Sequence, residues 1–217
     1  PSVDQRFICR LLVRLAARFV EPLDRGFGYT FGNSLRRVLL SSLEGAAIAS
    51  VKIEGVAHEF STIKGVREDV TDIVLNLKRV VCKLHGEEEE IRVQLVKEGP
   101  AVVTAADIDA PAELEVLNPE QEIANLEDGA LLELTLVVRR GRGYASADDN
   151  RGTDTTIGVI PIDSIFSPVK RVSYDVEAAR VGQRTDYDKL TLDITTNDSV
   201  APRAALTETA NILTRSL

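Results

Sequence analysis

The sequence predicts an α+β fold, and three observations carry that prediction. Apolar residues recur at helical spacing near residues 30–43, over 65–77 and from Pro202 onward; alternating or short apolar runs of strand type fill most of the interval between; and Pro100, Pro111 and Pro119 punctuate those runs. The 217 residues are enough for one large domain or two small ones, each with a real core. A composition of 44% hydrophobic and 28% charged residues is that of a globular chain. The net charge of −8 argues against an extended basic surface for nucleic acid. Two cysteines make no secreted disulfide framework, which points to a reducing, cytoplasmic setting. No charge-free apolar run approaches the ~20 residues that span a bilayer, so no spanning helix and no membrane partner is expected. The chain contains no methionine, which predicts a processed or trimmed product.

At the start, Arg6, Arg10, Arg14 and Arg18 recur every four positions among apolar residues. The ordinary reading is a leading strand or helix with solvated arginines; a membrane-surface helix or a transit-peptide remnant is the alternative. Pro22, Gly26 and Gly28 then break regular structure. A helix follows, capped at Thr30 or Asn33 and running to about Leu43, with Gly45 as its stop. Leu35, Val38, Leu39 and Leu43 gather on one side of it. Leu40 falls off that stripe, and with Arg36, Arg37 and Ser41 it forms a second face that asks for a partner.

Val51, Ile53 and the approach to Val56 alternate as a strand. Residues 65–77 read as a helix with Val66, Val70, Ile73, Val74 and Leu77 on one face and Lys78 at its C-terminus, where a cation suits the dipole. Strand candidates come next at 80–84, 91–95, 114–117 and 132–138. Residues 141–156 are rich in Gly, Asp and Thr and read as an exposed loop. Strands are expected again within 159–165, at 172–176 and at 190–195. The last helix starts near Pro202, and Leu206, Ala210, Leu213 and Leu217 make a seam along it.

Several clusters were weighed for chemistry. Gly26, Gly28 and Gly32 precede a helix with a spacing related to a dinucleotide fingerprint, but Pro22 and Asp24-Arg25 interrupt the strand such a site needs. Glycines permitting a sharp reversal are the simpler reading. Cys82 and His85 are spaced C-x-x-H without the second close pair that structural zinc requires; Cys82 reads as a buried thiol, and no metal or cofactor is expected. Asp186 and Asp188 lie among Arg184 and Lys189, a setting for ion pairs at the entry of a strand rather than for Mg²⁺. Neither histidine stands in a nucleophile context, so no active site is expected on this chain.

Several long words, in unbroken order from about residue 20 to 217, resemble the N-terminal domain of the α subunit of bacterial RNA polymerase. They include Glu21-Pro22-Leu23; Gly26-Phe27-Gly28-Tyr29-Thr30-Phe31-Gly32-Asn33-Ser34-Leu35-Arg36-Arg37; His58-Glu59-Phe60-Ser61-Thr62; Leu75-Asn76-Leu77-Lys78; Arg140-Gly141-Arg142-Gly143-Tyr144; Phe166-Ser167-Pro168-Val169; and the run from Arg180 to Leu190. The arginine-striped start departs from the family, which has strand-like sequence there.

The resemblance implies a discontinuous dimerisation domain, helices packed on an antiparallel sheet, from residues 1–50 and 172–217, with a mainly-β domain inserted over 51–171. It further implies a homodimer on which the β and β′ subunits of the transcribing nucleotidyltransferase assemble, itself touching no nucleic acid. Leu35, Val38, Leu39, Leu206, Ala210 and Leu213 would supply the dimer core. Arg37 and Leu40 would contact β, Lys78 would contact β′, and Arg180, Arg184 and Lys189 would add large-subunit contacts. Asp148, Asp149 and Asp154 lie where some transcription activators touch α. The rival readings are a nucleotide-binding enzyme using the Gly26, Gly28 and Gly32 turn, and a β-rich binding module with a membrane-associating N-terminus.

Overall fold

A computed structural model describes residues 16–56, 58–151, 158–182 and 184–216, so the arginine stripe from Arg6 to Arg14 lies outside the described residues. In chain order the elements are β1 (Ala16–Asp24), α1 (Phe27–Ser41), β2 (Glu44–Ile53), α2 (Val70–Leu77), β3 (Cys82–Leu84), β4 (Glu90–Glu98), β5 (Ala101–Thr104), β6 (Leu114–Val116) and β7 (Glu122–Leu126). They continue as β8 (Leu131–Arg142), β9 (Tyr144–Ala145), α3 (Ala147–Asn150), β10 (Val159–Pro161), β11 (Ser164–Ile165), β12 (Val169–Val181), β13 (Arg184–Thr196) and α4 (Pro202–Ser216). The sheet-rich α+β class is as expected. The chain divides into two compact units, one built from both chain ends up to Leu43 and from Pro168, the other from Glu44–Ser167. The division lies a few residues from positions 50 and 172 because β2 already begins at Glu44 and β12 at Val169.

In the first unit β13 is the central strand of an antiparallel sheet ordered β1-β13-β12. Side chains on a strand alternate between faces, so Leu190, Leu192 and Ile194 form one row, and all three are fully buried. They pack with Val172 and Val169 of β12, Leu39 and Leu43 from α1 and its end, and Ala205 of α4. Pro202 opens α4 as expected. The inward stripe of α4 is Ala205, Thr209 and Ile212, while Ala210, assigned to the seam, is exposed and Leu206 and Leu213 are half-buried.

Helix α1 starts earlier than its sequence signals suggest. Its cap is Gly26 in the left-handed region (φ 91°), and Thr30 instead turns its hydroxyl back to the Gly26 carbonyl (3.3 Å). It ends at Ser42, and Gly45 belongs to β2.

The second unit is organised on β2. Strand β8 pairs with β2 from Glu44 to Ile53, and the other neighbours of β2 are β3 at Ala46 and β10 from Ser50 to Lys52. The six strands run β4-β8-β2-β3-β6 with β10 on β2, and β5-β7 and β9-β11 form two small ribbons. The alternating Leu132, Leu134, Leu136 and Val138 of β8 and Val93 and Leu95 of β4 all face the core, the pattern of an antiparallel sheet wet on one side.

Helix α2 is shorter than the predicted 65–77. Gly65 takes φ 77°, Val66 bridges to Leu126, and the Asp69 carboxylate caps the helix by accepting from the Asp72 N–H (2.8 Å), so only Val70 onward is helical. Residues 141–156 are not one loop: β8 continues to Arg142, and β9 and α3 follow before residues 152–157, which lie outside the described residues. Ribbon β5-β7 was not anticipated, because Ala101–Thr104 is too short to show alternation.

Asp107 closes the turn after β5. Burial alone would raise its pKa, but the Lys97 ammonium (2.5 Å) and the Thr104 N–H (2.9 Å) outweigh burial and hold the carboxyl below its usual range. The charged form is thus favoured by folding. Its contribution is present above the ordinary carboxylate pKa of about 4 and is lost as pH falls through the lower folded value. Asp107→Asn is expected to lower stability at neutral pH yet flatten the decline on acidification below about pH 4. Urea unfolding at stepped pH checks this, and parallel acid limbs for the two proteins would contradict it.

Candidate functional site

The exposed chemistry of the first unit lies on α1. Gly28 and Gly32 face the sheet at spacing i, i+4, and a Cβ on them would stand 2.6 Å from Val176 and 2.6 Å from the Tyr174 ring. Without those carbons the helix settles directly onto β12. At 100° per residue Leu39 shares the glycine face, and its complete burial places it beneath the surface rather than on it. Leu35 is half-buried against the same core, as is Leu40 in part, and Val38 is half-buried. Leu40 therefore offers only its exposed part to a partner. Arg36 and Arg37 are exposed and form no ion pair with a described residue.

Phe27 and Phe31 are missing as a pair from the sequence reading because a helix capped at Thr30 or Asn33 leaves Phe27 outside it. They lie i, i+4 on the flank shared by Val38, with ring centroids 5.7 Å apart and 48% and 43% exposure. With Tyr29 (63% exposed), this pair leaves aromatic surface of α1 uncovered. An aromatic at i and i+4 just after Gly26 was the available signal.

The glycine turn holds no phosphate cradle. The Gly26 and Gly28 N–H groups donate to one Asp188 carboxylate oxygen, at 2.8 and 3.2 Å, so the amides a nucleotide would need already serve a carboxylate. The nucleotide-binding alternative is thereby set aside. Asp186 does not join Asp188: it accepts two bonds from Arg184 (3.2 and 2.8 Å), whose guanidinium also lies 5.0 Å over the Tyr187 ring. Lys189 binds Glu177 (3.0 Å), and the Arg180 guanidinium donates to the Gly182 carbonyl (2.8 Å). The hairpin cations Arg180, Arg184 and Lys189 are thus exposed or half-exposed but tied within their own ribbon.

In the second unit Lys78 caps the end of α2, and its ammonium reaches Asp163 at 2.6 Å. That bond, helped by a Tyr144 hydrogen bond and opposed by partial burial, holds the Asp163 carboxyl below its usual range. Tyr144 and Ile165 sit opposite each other in the β9-β11 ribbon, and both are largely exposed. Of the acidic group, Asp149 is engaged as the α3 capping box with Ser146 (2.7 Å), Asp148 is highly exposed in a long ion pair with Arg151 (3.9 Å), and Asp154 lies outside the described residues. Buried Asn150 anchors this segment by donating to the Ile162 carbonyl (2.7 Å), next to Ser164, which donates to Ile48 (2.8 Å). Cys82 is buried, which pushes its thiol up to about 12, while His85 lies on the surface against Glu115 (2.9 Å). The two therefore do not form a common ligand set.

The candidate functional features are thus surfaces: an exposed aromatic helix flank, exposed arginines beside it, and ion-paired ribbons. Comparison with known proteins makes that reading specific. Residues 51–167 match the family described as the RNA polymerase Rpb3/RpoA insert domain. Over 207 residues the chain is 57% identical to the DNA-directed RNA polymerase subunit alpha of Moorella thermoacetica, covering 94% of this chain and 66% of that protein. The same subunit of Desulforamulus reducens is 57% identical over 91% of this chain and 62% of its own length, and that of Limosilactobacillus reuteri 56% identical over 91% and 63%. The chain belongs to the bacterial RNA polymerase α-subunit family, and it spans just under two thirds of the length of these relatives.

The seating of α1 generates a test. Gly32→Ala puts a methyl carbon into the Tyr174 ring, and overpacking of this kind costs about 1–3 kcal/mol. Chemical denaturation of the variant is expected to show that loss; an unchanged midpoint would mean that α1 does not sit so close.

Proposed function

We propose that this chain is the dimerising part of a non-catalytic assembly subunit of DNA-directed RNA polymerase, acting in the cytoplasm. The observation that carries the reading is the uncovered Phe27 and Phe31 flank on a helix of the unit built from both chain ends, in a chain more than half identical to α subunits. Apolar area of this kind gains most by burial against another protein. A second copy offers the same flank by two-fold symmetry. Val38, Leu35, Leu206, Ala210 and Leu213 extend that face, and Leu39 supports it from within. The first unit is accordingly the discontinuous dimerisation domain and the second the inserted domain.

A symmetric dimer presents each surface twice, and two different large subunits then use one copy each. In this reading Arg37, with the exposed part of Leu40, contacts β, because Arg37 is an exposed fork of donors with no ion-pair partner among the described residues. Lys78 with its Asp163 partner contacts β′, and Arg180, Arg184 and Lys189 add contacts at the hairpin. Asp148 would be the acid most open to an activator.

Sedimentation equilibrium is expected to give twice the mass of one chain. Phe31→Glu should weaken that dimer by about tenfold or more, since a charge must then be desolvated in the interface. Arg37→Ala should leave the dimer intact and lose capture of purified β subunit. A wild-type chain that stays monomeric at all accessible concentrations would contradict the reading.

A further inference from the structure

The row of β13 side chains under α1 and α4 reads Asp188, Leu190, Leu192, Ile194. The last three are fully buried, so the first member is a carboxylate at a position where alternation calls for an apolar residue. Its partners explain it. Helix α1 receives no cap from its own segment, since Gly26 has no side chain to offer. The Gly28 N–H, two positions into the helix, is the donor that a local cap would satisfy. Asp188, 160 residues away in sequence, accepts from it and from the Gly26 N–H as well. A carboxylate at this end also meets the positive end of the helix dipole.

The two bonded amides flank Phe27, the first ring of the exposed pair. Fixing the backbone on both sides of Phe27 fixes where that ring projects, and Phe31 stacks on it. Gly28 is part of the same device. A Cβ there would lie 3.1 Å from the Asp188 carboxylate oxygen and 2.6 Å from Val176, so only glycine lets carboxylate and helix meet. The neighbouring Asp186 is held by Arg184 and does not substitute.

We propose that Asp188 is a positioning residue for assembly: by capping α1 from the far end of the chain it aims the Phe27 and Phe31 face at the partner. The consequence for assembly rests on the dimer reading above, whereas the cap itself does not. The carboxylate also ties the start of α1 to β13.

The test uses the full 217-residue chain. Hydrogen exchange of the Gly26 and Gly28 amides reads the cap, and sedimentation equilibrium reads the dimer. In Asp188→Ala, protection of both amides is expected to fall about tenfold and the dimer to weaken by a similar factor, with second-unit protection unchanged. In Asp188→Asn, which keeps an acceptor oxygen, protection should return to within about threefold of wild type. Unchanged protection in Asp188→Ala overturns the proposal, as does an Asp188→Asn no better protected than Asp188→Ala. If Asp188→Ala fails to fold, a folded and protected Asp188→Asn supports the acceptor role, and failure of both overturns it. A monomeric wild type would defeat the dimer reading alone, leaving the amide measurement to decide the cap.

Discussion

The close approach of α1 to its sheet is the constraint on which the rest of the first unit depends. Two glycines one turn apart remove the carbons that would collide with Val176 and Tyr174. That approach brings Leu39 and Leu43 into the row formed by Leu190, Leu192 and Ile194, and closes the core. It also sets what the helix leaves outside. With the glycine face consumed, Phe27, Phe31 and part of Val38 stand on one flank, while Arg36 and Arg37 stand in solvent. Core and candidate interface are therefore two faces of one packing decision.

The second unit solves a different problem. Its core is organised on β2, which is paired along its length by β8 and elsewhere by β3 and β10. Its irregular segments are pinned by polar groups as well as by apolar ones such as Ile108 and Ile162: Asn150 beside Ser164, Glu68 on Asn125, and Asp107 on Lys97. The Lys78 and Asp163 pair belongs to this class and also faces solvent, so one ion pair both orders the end of α2 and presents charge at the surface.

Much of this was legible in the sequence, and the limits of legibility have physical causes. The alternation of Leu132, Leu134, Leu136 and Val138 declares a half-buried strand by itself, and Pro202 marks the start of α4. The start of α1 could not be read because its capping carboxylate, Asp188, comes from the other end of the chain. A helix starting at Thr30 or later leaves Phe27 out and so hides its pairing with Phe31. Conversely, Leu39 looked available because periodicity groups it with Leu35 and Val38, and only packing shows that it is buried. Composition alone reads residues 141–156 as a loop, yet β8 runs on through Gly141, where a missing Cβ makes room for the Phe166 ring.

The central claim is that the Phe27 and Phe31 flank is covered by a second copy of this chain. Hydroxyl-radical footprinting across a dilution series reads that flank directly, with Phe60, 81% exposed in the second unit, as an internal reference. Phe27 and Phe31 are expected to be protected at high concentration and to become labelled on dilution, while Phe60 is labelled equally throughout. Phe27 and Phe31 labelled to the same extent at every concentration would contradict it.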